Sequence, residues 1–316
     1  MNIVMLEKAS LGNDLDYSAL EKEGNVTFYD YYEPELIIEQ LKNADIAIVN
    51  KAKITEQVLK QLPNLKLICV SATGYNNIDI PATLKYNVVA TNVKNYSTES
   101  VAQYVFAHLL AYYNKVIDFQ KDIKNGLWQK SKIFTLLTHP IEELAGKTMG
   151  IIGYGHIGRR VADLAKAFGM NVLIAKRPGV EYSDNFRTDF DQVLRQSDVL
   201  SIHTPLTPQS KNLIRLEHLK MMKPTAVLIN AARGGVVNEQ DLYFALKNKI
   251  IAFAIVDVLE QEPPKQQHPF MELDNILLTP HIAWTSKQAR QRLLNGIIEN
   301  IRKFKQGKIN EIRLTK

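Results

Sequence analysis

Short apolar runs rich in β-branched residues recur along this chain, and amphipathic stretches separate them. Strands buried on both faces need apolar residues throughout, while a covering helix needs them on one side only. The alternation therefore predicts parallel sheets joined by helices. The runs at 3–6 (IVML), 26–30 (VTFYD), 46–50 (IAIVN), 67–71 (LICVS) and 88–92 (VVATN) are the first predicted strands. PELIIEQLKNA and TEQVLKQL are helices between them. These elements suffice for a small α/β domain of about 100 residues.

Residues 97–128 follow, with helical apolar spacing, Glu99 near the start and Gly126 near the end. They predict one long helix. A helix this long and this apolar suits a connector into a second domain and a subunit interface; simple core burial is the alternative. Beyond it, runs at 148–152 (TMGII), 171–175 (NVLIA), 198–203 (DVLSIH), 226–230 (AVLIN), 252–258 (AFAIVDV) and 275–279 (NILLT) predict six strands of a doubly wound sheet. The stretch SKQARQRLLNGIIENIRKFKQG is one amphipathic helix, expected to cross back to the first domain and close it.

Composition narrows the partners. With 46% apolar and 23% charged residues the chain can build packed cores, which excludes disorder. No apolar run reaches the roughly 18 residues of a membrane span. The start, MNIVMLEKAS, reads as a first strand rather than a leader, having no basic flank. The single cysteine, Cys69, sits in the apolar run LKLICV, so it reads as a buried thiol in a reducing cytoplasm. The net charge of +6 is spread along the chain without a basic, aromatic-laced stripe, so no nucleic-acid partner is expected. A mild positive field instead suits small carboxylates and phosphate-bearing cofactors.

The first chemical signal is Gly153-Tyr154-Gly155-His156-Ile157-Gly158, between the strand TMGII and the helix RRVADLAKAF. A bare GxGxxG says little, but strand before and helix after make it a dinucleotide-binding turn. Its glycines serve the tight turn, backbone approach to a pyrophosphate, and close packing of helix on strand. The N–H groups at the helix start then receive the anion. At the end of the next strand an NAD site usually places an acidic residue on the ribose. Here Lys176 and Arg177 stand there, so NADP is expected to be accepted and preferred over NAD. The alternative is that both cations face solvent and NAD binds without a ribose clamp.

Three more segments end strands of the second domain: Asn230 to Gly235, Asp257 to Pro263, and Thr279 to Trp284. In an open parallel sheet the ligand crevice lies at the carboxyl ends of the strands, so all three face it. Reducing a 2-keto acid needs a carboxylate anchor, a polariser for the carbonyl and a proton donor. Arg233 has the planar fork for the first two. His281 suits the third, because imidazole titrates near neutral pH. Glu262 can fix its tautomer and favour its charged form. Asp257 could take a bond from a nicotinamide carboxamide. His203, Thr204, Pro205 and Ala231, at strand ends, are expected to line the cofactor groove, as is His281. His203, His218 and His268 also have a plain structural reading.

These residues resemble the D-isomer-specific 2-hydroxyacid dehydrogenase family. The resemblance runs end to end, through VSATGYNNIDI, NYSTESVAQ, LAGKTMGIIGYGHIG, HTPLTPQSKNLI, NAARGGVVNEQDL, VDVLEQEPP and TPHIAWTSKQAR. NYSTESVAQ and HIAW are most similar to the glycerate dehydrogenase (hydroxypyruvate reductase) branch. The resemblance implies Arg233, Glu262 and His281 as the catalytic trio. It implies a substrate carboxylate on the backbone of Ala72, Thr73 and Gly74, with Lys51 nearby, and a cytoplasmic homodimer joined through the cofactor domain. The expected fold class is α/β: a doubly wound dinucleotide-binding domain (99–285) inserted into a smaller, flavodoxin-like substrate domain (1–98 plus 286–316). The expected reaction moves a hydride between NAD(P)H and a small 2-keto or D-2-hydroxy acid, of hydroxypyruvate or glyoxylate type, with no metal. Two departures stand out: Lys176 in place of an acidic residue, and Tyr75 where a smaller residue is common. The competing readings are a dinucleotide-sensing, corepressor-like protein on the same fold, and a dehydrogenase of another small acid.

Overall fold

In the computed structural model, residues 1–315 are described, and they form two units, 1–97 with 284–315 and 98–283. The first unit begins with β1 (Asn2–Met5), α1 (Ser18–Glu21), β2 (Asn25–Phe28), α2 (Ile37–Leu41) and β3 (Ile46–Val49). It continues with α3 (Glu56–Lys60), β4 (Leu67–Val70), α4 (Ile80–Lys85) and β5 (Val89–Thr91). Its five strands are all parallel, in the order β2-β1-β3-β4-β5, which is the flavodoxin-like order. β3 and β4 are buried at every residue, as a sheet covered on both faces requires. Alternation sorts the strands between two cores. Val4, Ala47, Val49, Ile68 and Val70 pack on one face, and Ile3, Ile46, Ile48, Leu67 and Cys69 on the other. Helices α3 and α4 start on side-chain caps: Thr55 accepts from Val58 N–H, and Asp79 from Ala82 N–H.

The second unit opens with α5 (Thr98–Tyr113) and α6 (Val116–Lys124). The single helix expected over 97–128 is thus two. Lys115 takes the left-handed conformation, at φ 51°, and breaks the ladder between them. Neither glycine nor proline marks the break, so the pattern alone could not show it. Then follow β6 (Thr148–Ile152), α7 (His156–Ala167), β7 (Asn171–Ala175), β8 (Arg187–Thr188), α8 (Phe190–Gln196) and β9 (Val199–Ile202). The unit ends with α9 (Leu216–Met221), β10 (Val227–Asn230), α10 (Glu239–Lys247), β11 (Phe253–Val256) and β12 (Ile276–Leu278).

The sheet has seven strands, in the order β12-β11-β10-β9-β6-β7-β8, every pair parallel. Counting from β6, this is the doubly wound order, with the chain reversing direction between β6 and β9. Six strands were expected; the seventh, β8, has two residues and no apolar run to announce it. Helix α7 also starts three residues earlier than RRVADLAKAF suggests, at His156, which puts Gly158 inside its first turn.

The last helix, α11 (Lys287–Lys305), belongs to the first unit. Ser286 caps it by accepting from Ala289 N–H. Leu293, Leu294, Ile297, Ile298 and Ile301 enter the core that holds Ile3 and Cys69. Gly296 allows the close fit: a Cβ there would lie 2.5 Å from Val93 Cγ1. The Cys69 thiol is buried under this layer, which pushes its pKa to about 12 and leaves it unreactive. No helix among the described residues is long and apolar enough to cross a membrane.

Candidate active site

The glycine turn joins β6 to α7, and its three glycines differ in what they permit. Gly153 has φ 92°, and a Cβ there would lie 2.5 Å from the His203 carbonyl oxygen. A Cβ on Gly158 would meet the Gly153 carbonyl oxygen at 2.1 Å. Both glycines are therefore fixed by the protein's own packing. Gly155 is not: a Cβ there would meet nothing within 4 Å. The open space lies at the N-cap of α7, where no side chain caps the helix. Backbone N–H groups and the positive end of the helix dipole thus point at room for an anion. The Tyr154 ring lies tilted against Phe186, with Arg159 over its face, while His156 is exposed and Ile157 half-buried. These residues fit a dinucleotide pyrophosphate.

Lys176 follows β7 directly. Its N–H donates to Thr188 O, and its ammonium meets Asp189 at 2.8 Å in an exposed ion pair. Arg177 is exposed in the turn that follows, where Val180 N–H bonds back to the Arg177 carbonyl. Asp189, from the next loop, is a partner that no local sequence signal announces.

At the end of β9, His203 donates its N–H to the Ile152 carbonyl, which ties β9 to the strand before the glycine turn. Ser201 Oγ lies 2.9 Å from His203 Nε2, and burial of the ring pushes its pKa down to about 4. The imidazole is neutral at physiological pH and adds no charge to the groove. Thr204 is half-buried and Pro205 exposed, and the Pro205 carbonyl accepts from Ser210 Oγ.

Arg233 sits in a turn after β10 that Asn230 shapes. The Asn230 side chain accepts from Ala232 N–H at 3.1 Å and donates to Arg233 O at 3.0 Å. Ala231 and Ala232 are half-buried in this turn. Gly234 lets it press against the chain beyond β11, since a Cβ there would lie 2.1 Å from the Leu259 carbonyl. Half-buried Arg233 donates from Nη1 to the Ala232 carbonyl at 2.7 Å, which braces the start of its guanidinium fork. The bracing by Asn230 went unnoticed in the sequence, although an Asn at a strand end is a recurrent turn former.

Glu262 and His281 meet. Glu262 Oε2 lies 2.6 Å from His281 Nδ1, and Oε1 accepts from Leu259 N–H at 2.9 Å. The carboxylate is held from behind and can only accept, so Nδ1 carries the hydrogen and Nε2 is left to exchange a proton. His281 itself is in the left-handed region, at φ 56°, with its N–H bonded to Asp257 O and Thr279 O.

Asp257, 1% exposed, is already engaged within the chain. Oδ1 accepts from Thr279 Oγ1 (2.6 Å) and Ile282 N–H (2.8 Å), and Oδ2 from Ala283 N–H (2.8 Å). Burial pushes its pKa upward against these donors. Three of the roughly four acceptor sites of a carboxylate are thereby used on the loop that carries His281. Thr279 and its further partner Tyr104 escaped the sequence reading. They lie 175 residues apart, and no local pattern joins them.

In the first unit, Lys51 is exposed just after β3, and its N–H donates to the Glu7 carboxylate at 2.9 Å. Ala72 and Thr73 follow β4, where their carbonyls accept from Val93 N–H and Asn92 Nδ2. Thr73 Oγ1 donates to the Val93 carbonyl at 3.0 Å, and Gly74 is half-buried.

Known proteins resemble this chain along nearly its whole length. The family model described as "D-isomer specific 2-hydroxyacid dehydrogenase, NAD binding domain" matches residues 106–283. Glycerate dehydrogenase of Methylorubrum extorquens is 40% identical over 313 residues, covering 97% of this chain and 96% of that protein. Hydroxypyruvate reductase of Blautia hydrogenotrophica is 34% identical, covering 97% and 98%. Among solved structures, D-lactate dehydrogenase from Aquifex aeolicus, complexed with NAD and lactic acid, superposes with a TM-score of 0.83 at 29% identity, covering 98% of this chain and 97% of that one. An acyclic imino acid reductase in complex with NADPH and D-Arg gives 0.86 at 29% identity, covering 99% and 100%. The family model covers more than half of the chain, and the relatives match it along nearly its whole length: the protein belongs to the D-isomer specific 2-hydroxyacid dehydrogenases.

Proposed function

We propose that this oxidoreductase reduces a small 2-keto acid of the hydroxypyruvate or glyoxylate type, or oxidises the matching D-2-hydroxy acid, with Arg233, Glu262 and His281 as its working residues. The observation that carries the reading is the 2.6 Å pair between Glu262 and His281 Nδ1. The pair leaves Nε2 as the proton-exchanging nitrogen. When bound, the nicotinamide supplies or accepts the hydride. Arg233 anchors the acid and polarises its carbonyl through the fork. His281 Nε2 gives a proton to the forming alkoxide, and in the other direction takes it from the alcohol. Glu262 keeps the imidazole oriented, with Nδ1 as the hydrogen-bearing nitrogen. The first unit is read as the substrate domain, with Lys51 and the turn Ala72–Thr73–Gly74 as its anion contacts, and the second as the dinucleotide domain. Loss of the reduced nicotinamide's near-ultraviolet absorbance on adding hydroxypyruvate or glyoxylate tests this. No turnover with either acid overturns the substrate class.

For the cofactor, the reading is NADP in preference to NAD. Lys176 directly follows β7, where an acidic residue would repel a 2′-phosphate, and Arg177 stands exposed beside it. An exposed ion pair such as Lys176–Asp189 is worth only about 0–1 kcal/mol, so the ammonium can turn to a phosphate at small cost. The expected result is a higher kcat/KM with NADPH than with NADH. Lys176→Asp should swing that ratio towards NADH by about 10–100-fold, as loss of a charge-assisted bond and gain of a like charge imply. A strong NADH preference in the unaltered protein would sink the assignment.

The protein is further read as a homodimer joined through the second unit. Helix α6 buries none of its residues within the chain. Around it Ile117 (67%), Phe134 (91%) and Leu137 (80%) stand exposed, which is more apolar surface than one short segment normally shows to water. Sedimentation equilibrium should give twice the chain mass, and Phe134→Asp with Leu137→Asp should move it towards one. A monomer at all concentrations contradicts the reading.

A further inference from the structure

We propose that Tyr104, on α5, is a positioning residue for His281, acting through Thr279 and Asp257. This rests on the assignment of His281 as the proton donor. The chain of contacts is short and directional. Tyr104 OH lies 2.6 Å from Thr279 Oγ1, and Thr279 Oγ1 lies 2.6 Å from Asp257 Oδ1. Asp257 accepts backbone N–H on both oxygens, from Ile282 and Ala283, which is the pattern of an ionised carboxylate. A carboxylate has no proton to give, so the single hydroxyl proton of Thr279 goes to Asp257. Thr279 can then only accept from Tyr104. Burial lifts the Tyr104 phenol well above its usual pKa, so it remains a donor at every working pH.

The order of donation matters because of what Asp257 holds. Its oxygens carry the N–H groups of the two residues after His281, and its own carbonyl accepts the His281 N–H at 2.8 Å. His281 is therefore set in its left-handed conformation from both sides by one residue, and that residue is set by Thr279 and Tyr104. Ser100, one turn earlier on α5, adds a second tie by donating to the Ala283 carbonyl at 2.7 Å. Helix α5 thus grips the acid–base loop at two points. The titratable groups around the loop are Glu262 on the His281 ring, Asp257 beneath its backbone, and Tyr104 with His108 against it (ring centroids 4.1 Å apart).

The test compares Tyr104→Phe, Thr279→Val and Thr279→Ser in keto-acid reduction at saturating cofactor across pH. Loss of one such bond corresponds to about a 5–10-fold fall in kcat for Tyr104→Phe, and loss of the bond to the carboxylate to about 10²-fold for Thr279→Val. KM for the keto acid should stay within about twofold, since neither hydroxyl holds substrate. Fewer donors favour protonated Asp257, so the imidazolium loses a supporting charge. The alkaline limb of kcat should then move to lower pH, further in Thr279→Val than in Tyr104→Phe. Thr279→Ser should recover most of what Thr279→Val loses. A purely structural role would lower Tm without moving the limb. Unchanged kcat and limb in both Tyr104→Phe and Thr279→Val overturn the inference. His281→Ala in the same assay separates the two failures: retained kcat there overturns the His281 assignment, while a large loss there with normal Tyr104→Phe and Thr279→Val overturns only the positioning role.

Discussion

His281→Ala should lower kcat by about 10²–10⁴-fold while leaving the dissociation constant of the cofactor within about threefold, because general acid catalysis typically supplies a factor of that size. The ring is not free to be replaced by solvent chemistry. Its Nδ1 is occupied by Glu262, and Glu262 is itself fixed by Leu259 N–H at 2.9 Å, so the carboxylate stays put as the proton moves. The His281 backbone is left-handed, and its N–H, shared between the Asp257 and Thr279 carbonyls, holds it so. Alanine at this position removes the proposed acid without touching the glycine turn, which sits between β6 and α7. The separation of effects is the diagnostic. Equilibrium binding of the reduced cofactor, followed by fluorescence, gives one half, and steady-state turnover gives the other. A kcat within tenfold of the unaltered protein would remove His281 from the chemistry.

The parts of this molecule legible in the sequence are those whose cause is local. The glycine turn is one. The tight φ of Gly153 and the helix-on-strand fit of Gly158 are backbone demands that only glycine meets, so the letters reveal them. The all-apolar strands IAIV and LICV are another, since burial on both faces leaves no choice of pattern. What stayed hidden has causes spread across the fold. The break at Lys115 has neither glycine nor proline to announce it, and a lysine in the left-handed region leaves no mark in the sequence. The strand β8 exists because Arg187 and Thr188 fall alongside Ile174 and Ala175, not because two residues favour extension. The Asp189 partner of Lys176 arrives through the same return. Asp257 is the most instructive case. Its place at a strand end suggests a ligand contact, and to this the structure adds three partners within the chain, Thr279, Ile282 and Ala283. The sequence showed where the carboxylate is and not what surrounds it.

Arg233→Ala should lower kcat/KM for the keto acid by about 10²–10⁴-fold, through a raised KM and a reduced kcat together. Two charge-assisted hydrogen bonds of roughly 1.5–3 kcal/mol each are removed, and every 1.4 kcal/mol is a factor of about ten. The split between KM and kcat follows from the two tasks of one guanidinium. Holding the carboxylate stabilises bound substrate and transition state alike and appears in KM. Polarising the carbonyl matters most as the alkoxide forms and appears in kcat. Both proposed tasks call for a fork that is held in place. Asn230 closes the turn on Ala232 and Arg233, Gly234 seats it against Leu259, and Nη1 is braced on the Ala232 carbonyl, so little side-chain freedom remains to be lost on binding. Arg233→Lys sharpens the test, since it keeps the charge and loses the planar pair of donors. Lysine should restore part of the affinity and little of kcat, because a point charge can attract a carboxylate but cannot bridge it to the neighbouring carbonyl oxygen. Full activity in the lysine variant would mean that Arg233 acts by charge alone, and normal kcat/KM in the alanine variant would remove it from the site.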